Sequence, residues 1–139
     1  MPRIIAIDFG LKRVGVAVTD ELQITCNPLD TIPNNKIFDF IKEYLSNENV
    51  ECIVVGLPKR LNNEATHATS HVYAFKNKLD QLYPTMQIEL HDERFTSKMA
   101  MAAMIEGGMS KKDRAKKENL DKISASIILQ SYLESKSFL

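Results

Sequence analysis

The sequence predicts an α/β fold, a mixed five-stranded sheet covered by helices. Three observations carry the prediction. Ile4-Ile5-Ala6-Ile7 is an unbroken apolar run that stops at Asp8, as suits a central strand buried on both faces. After two further strand-like segments the apolar spacing changes to i, i+3, i+4, i+7, the period of a helix face. From there helical and strand patterns alternate, and strand–helix–strand crossovers make the strands they join parallel. The chain has 139 residues, 44% hydrophobic and 26% charged. That size and composition indicate one domain over 1–139, long enough to bury its own core.

The elements follow in order. Residues 3–8 form the first strand, and Phe9-Gly10 lets the chain turn. Val14 to Val18 is a second apolar run, most simply the hairpin partner of the first. Leu22 to Leu29 is a weaker third strand, and Pro28 marks it as an edge or a strand end. Ile37, Phe40, Ile41, Tyr44 and Leu45 line one face of a helix that Asn34 or Asn35 can cap. Cys52 to Val55 is a buried strand closed by Gly56-Leu57-Pro58, and a polar loop covers 59–63. Ala68, Val72, Phe75, Leu79 and Leu82 mark a second amphipathic helix that stops near Pro84. Met86, Ile88 and Leu90 alternate with polar residues in a half-exposed fifth strand. Thr96 or Ser97 caps a third helix carrying Met99, Ala102, Ala103 and Ile105, which Gly107-Gly108 ends. Met109 to Asn119 lacks apolar periodicity and reads as a loop or flap. Leu120 to Leu133 is the last helix, with Leu120, Ile123, Ile127 and Ile128 inward. The strand order that fits is 3-2-1-4-5, with Asp8 on the middle strand.

Composition excludes several classes. No apolar run approaches the roughly 20 residues of a membrane span. Met1-Pro2-Arg3 leads straight into a strand and is not a signal peptide, so the expectation is a cytoplasmic protein. The formal net charge is zero, so any polyanion site must come from local clustering. Cys26 and Cys52 lie in separate strand-like segments and read as small buried hydrophobes. His67 and His71, four apart on the second helix, have no third ligand in view and read as polar helix surface.

The chemistry lies in the acids. Asp8 ends the central strand, Glu93 (with Asp92 beside it) ends the fifth, and Asp121 begins the last helix. The carboxyl ends of parallel strands share one rim, so Asp8 and Glu93 face it together and a helix starting there can bring Asp121 to both. Each acid alone has an ordinary reading: a strand end, a surface ion pair, a first-turn acid. Together they repel one another unless a cation neutralises them. Their oxygen ligands suit Mg²⁺ or Mn²⁺. Two such ions about 4 Å apart would stabilise the attacking and leaving oxygens of an in-line phosphoryl displacement. The site therefore reads as a phosphodiesterase. Lys111, Lys112, Arg114, Lys116 and Lys117 cluster just before Asp121, Lys12 and Arg13 follow Asp8, and Arg94 follows Glu93. All eight are candidate phosphate contacts.

Several stretches resemble the YqgF-type family of ribonuclease H-like proteins, described as pre-16S rRNA nucleases and as Holliday-junction-resolvase-like proteins. They are Ile5 to Gly10, Arg13 to Asp20 leading to Pro28-Leu29, Ile53 to Pro58, Asp92 to Ser97, and Leu120 to Leu133. The resemblance spans almost the whole chain. It implies a ribonuclease H-like fold with acids at Asp8, Glu93 and Asp121, and 5′-end maturation of pre-16S ribosomal RNA. Two departures stand out: Asn62-Asn63 where the family usually has Gly, and Ser124-Ala125 where it has two alanines. The leading expectation is a metal-dependent endonuclease acting on precursor ribosomal RNA. The alternatives are a nuclease of branched DNA junctions, an actin-like phosphate binder suggested by Asp8 to Gly15, and a non-catalytic RNA-binding assembly factor.

Overall fold

The computed structural model describes residues 2–23, 25–57, 67–92 and 117–137. Five strands, β1 (Arg3–Asp8), β2 (Arg13–Thr19), β3 (Cys26–Pro33), β4 (Val50–Leu57) and β5 (Gln87–Asp92), form one sheet in the order β3-β2-β1-β4-β5. β1 pairs antiparallel with β2 and parallel with β4, β2 with β3 is antiparallel, and β4 with β5 is parallel. This is the predicted order and polarity. The helices are α1 (Ile37–Asn47), α2 (His67–Leu82) and α3 (Lys117–Ser137).

Strand alternation divides the interior into two cores. Ile5, Ile7, Val14, Val16, Ile53 and Val55 face α1 and α2, where Ile37, Ile41, Val72, Phe75 and Leu79 meet them. Ile4, Ala6, Ala17, Cys52 and Val54 face α3, where Ala125, Ile128, Leu129 and Tyr132 meet them. The second set is smaller in side-chain volume, which lets α3 lie close to the sheet. Ser124 and Ala125 are both buried, so the serine in place of the family's first alanine is accommodated. At the sheet end away from Asp8, Arg3 donates to the Thr19 carbonyl at 2.9 Å and faces Glu48 at 3.4 Å. The Ile4 amide donates to the Thr19 hydroxyl at 2.9 Å.

Local details correct five expectations. The third strand starts later, at Cys26, because Asp20 closes a turn first. Its carboxylate accepts the Thr25 amide at 2.9 Å and its carbonyl accepts the Gln23 amide at 3.0 Å, with Gln23 at φ 58°. Pro28 lies within that edge strand, opposite Ala17, beside a register shift. Asn34 and Asn35 do not cap α1; they lie in a 3-10 turn, Asn34–Lys36, and no side-chain cap bond forms at Lys36. Leu82 is 50% exposed instead of joining Val72, Phe75 and Leu79 in the core. The inner face of α3 is Ala125, Ile128, Leu129 and Tyr132, while Ile123 and Ile127 are half-buried. That helix begins at Lys117, so Lys117 to Asn119 are helical and not part of a loop. The loop expected at 59–63, the helix expected around 99–105 and the segment 109–116 lie outside the described residues.

Candidate functional site

Asp8 stands at the carboxyl end of β1 and is half-buried. It continues the alternation of Ile4 and Ala6, so it belongs to the α3 face of the sheet. Its partner on β2 is Gly15. On β4 the register Ile7–Val55, carried on by one residue, sets Gly56 beside Asp8, and Gly56 in turn pairs with His91 of β5. The central carboxylate is thus flanked on both neighbouring strands by residues without side chains. A ligand approaching Asp8 along the sheet meets no side chain from either flanking position.

The loop behind Asp8 is held at several points. The Phe9 ring stacks on Phe75 of α2 with centroids 4.6 Å apart, and Phe75 meets Phe38 at 5.3 Å. Gly10 comes so close to the returning chain that a Cβ there would lie 2.4 Å from the Arg13 carbonyl oxygen, which is why the turn needs glycine. The Asn34 side-chain amide donates to the Gly10 carbonyl at 2.7 Å, and its backbone amide donates to the Lys12 carbonyl at 2.9 Å. Lys12 is exposed and Arg13 half-buried at the start of β2, both close in sequence to Asp8 as expected.

The other predicted acids and cations are placed less fully. Asp121 lies in α3, four residues before Ala125 of the second core. Asp92 is the last residue of β5. Glu93, Arg94, Lys111, Lys112, Arg114 and Lys116 lie outside the described residues, and Lys117 opens α3. Among the described residues no three His, Cys, Asp or Glu side chains gather as a metal cluster, and Glu93 is not one of those residues. The donor chemistry at Asp8 fits a hard cation, a carboxylate oxygen with no thiolate or imidazole in its own strand.

Next to this rim, β5 meets α3 through polar groups. The Tyr132 hydroxyl donates to the Glu89 carboxylate, with the Cys52 sulfur 3.8 Å from that hydroxyl. His91 Nε2 and the Ser131 hydroxyl are 2.8 Å apart, and the His91 and Tyr132 rings meet edge to face at 6.1 Å. Burial, together with the bond to Glu89, pushes the Tyr132 hydroxyl far up, so it stays a donor. The sequence reading missed this cluster; its one signal was that β5 alternates apolar residues with Glu89 and His91 where a buried face would be apolar. It also missed the roles of Asn34 and Phe75, since both involve elements distant in the chain.

Two side readings come out as expected in part. Cys52 is buried and Cys26 half-buried, and neither is in a disulfide. His71 is exposed on α2. No helix among the described residues is long and apolar enough to cross a membrane.

A mixed sheet in the order 3-2-1-4-5, a carboxylate ending its central strand and a last helix against that face define a ribonuclease H-like protein. Solved structures agree on the fold. RuvC of Thermus thermophilus in complex with a Holliday junction substrate superposes with a TM-score of 0.60 at 14% identity, over 97% of this chain and 96% of that one. The yeast mitochondrial Holliday junction resolvase gives 0.56 at 11% identity, over 99% and 85%. The chain belongs to the RuvX family, described as Holliday junction resolvase, whose profile matches residues 2–135. Relatives named "Putative pre-16S rRNA nuclease" include one from Phocaeicola vulgatus, 51% identical over 139 residues and the whole of both chains. Another, from Flavobacterium johnsoniae, is 46% identical over 138 residues, 99% of this chain and all of that one.

Proposed function

We propose that this protein is a divalent-cation-dependent endonuclease, one ribonuclease H-like domain over 1–139, that trims the 5′ end of precursor 16S ribosomal RNA in the cytoplasm. The observation that carries the reading is Asp8, a half-buried carboxylate ending the central strand between two glycine positions, in a chain 51% identical to a relative named "Putative pre-16S rRNA nuclease". Asp121 supports it, because it precedes Ala125 by one helical turn and Ala125 packs in the core that Ala6, two residues before Asp8, also joins. Asp8 and Asp121 would supply oxygen ligands, and Glu93 a further ligand or the group that orients the attacking water. When bound, Mg²⁺ or Mn²⁺, as one or two ions, neutralises charge on the attacking and leaving oxygens. Lys12, Arg13, Arg94, Lys111, Lys112, Arg114, Lys116 and Lys117 hold the phosphate backbone and align the scissile bond; such contacts position a polynucleotide and carry no base sequence.

The test is incubation of purified protein with precursor 16S rRNA and with a four-way DNA junction, each with Mg²⁺ or Mn²⁺. The expected result is cleavage of the RNA. Asp8→Asn and Asp121→Asn each lower the rate on the order of 10²–10³-fold, the scale for losing one preorganised electrostatic group. Cleavage that persists undiminished in both variants would sink the assignment. A second reading, cleavage of branched DNA, is favoured by the family's own description and by the fold shared with a junction-bound resolvase. Preferential cutting of the junction would establish it.

A further inference from the structure

β5 is the one strand that contributes no side chain to the apolar core under α3, among the described residues. On that face it presents Glu89 and His91. Each meets α3 through a hydrogen bond: Tyr132 to Glu89, and His91 Nε2 with the Ser131 hydroxyl at 2.8 Å. The two contacts come from adjacent residues of the helix and alternate residues of the strand, so they form two rungs of one ladder. Apolar packing tolerates sliding, because it is non-directional. Hydrogen bonds of defined length and angle do not. An interface built from such rungs trades some stability for a fixed offset between its two elements.

The offset matters because of what these elements carry. α3 includes Asp121, and His91 lies in the same row of the sheet as Gly56 and the Asp8 position. We infer that Ser131 and Tyr132, through His91 and Glu89, are positioning residues that hold α3 in register with the sheet so that Asp121 and Asp8 bind one cation together. This rests on the proposed cation-dependent function. The two rungs touch neither cation nor substrate; they act through the placement of the helix.

The test reads binding of Mn²⁺ alone, by electron paramagnetic resonance or calorimetry, with no nucleic acid present. Urea unfolding of each variant confirms that the native state is fully populated. Ser131→Ala and Tyr132→Phe are each expected to weaken Mn²⁺ binding roughly tenfold or more, the scale for groups that orient metal ligands from behind. Ser131→Thr, which keeps the hydroxyl, restores it. A purely structural role would shift the urea midpoint and leave the affinity of the folded protein unchanged. If both variants bind Mn²⁺ as tightly as the parent while Asp8→Asn does not, the inference is overturned and the cation site stands. If the parent protein itself binds no Mn²⁺, the cation-dependent reading falls and takes the inference with it.

Discussion

Gly10 is the tightest point of the loop behind Asp8. A methyl group there would sit 2.4 Å from the Arg13 carbonyl oxygen, a backbone atom that cannot swing aside. Gly10→Ala should therefore destabilise the protein by about 1–3 kcal/mol, the usual scale of overpacking, measured as a lower urea midpoint with unchanged slope. Cys26 offers a second residue-level test. Burial, and then the carboxylates of Asp20 and Glu134, push its thiol from 9.0 up to about 11. The folded state favours the protonated thiol, so the stability it contributes is present below pH 9 and lost as pH rises toward about 11. With Cys52 replaced by alanine, alkylation of the native protein by iodoacetamide should stay slow through pH 9 and rise with a midpoint near 11. A midpoint near that of a free thiol would contradict the burial assigned to it.

At the scale of elements, the approach of α3 to the sheet depends on small side chains. Ala125 is fully buried against a surface that includes Ala6 and Ala17. Ala125→Leu must push the helix outward or force strained rotamers, at about 1–3 kcal/mol. Because Asp121, a proposed cation ligand, stands one turn away on the same helix, the variant should lose the proposed cation-dependent cleavage even at temperatures where it remains folded. Circular dichroism and the cleavage assay, run side by side, check this. The sheet side of the interface was legible in the sequence: the run Ile4 to Ile7 and the alternation in β5 assigned strands and order correctly. The helix side was rotated. Ile123 and Ile127 look like core residues by hydropathy, yet the small Ala125 and the amphipathic Tyr132 occupy the buried face. Close packing against a sheet rewards small size as much as hydrophobicity, and a pattern of apolar positions does not register that.

For the whole molecule, a formal charge of zero means that attraction to a polyanion must be local. Binding of single-stranded RNA should weaken linearly in log K against log salt, with a slope of about −0.7 per phosphate neutralised. Lys12 is exposed beside the rim, so Lys12→Ala should reduce the magnitude of the slope by about one contact and leave sequence preference unchanged. Filter-binding or anisotropy titrations at several salt concentrations measure it. An unchanged slope would remove Lys12 from the path of the nucleic acid.

By itself the sequence determined the order of elements, the two-faced strands, the topology around β1 and the position of Asp8 at its end. These follow from period, run length and the rule that crossovers make parallel pairs, all of which are local or nearly so. Only the tertiary structure decided what surrounds that carboxylate. Gly15 and Gly56 flank Asp8 because three strands come into register. Asn34 clamps the loop at Gly10, across 24 residues of chain, and also at Lys12. Tyr132 reaches Glu89 across 43 residues. Such contacts depend on relative placement of distant segments, which no local pattern encodes, and they give the acid at the end of a strand its defined surroundings.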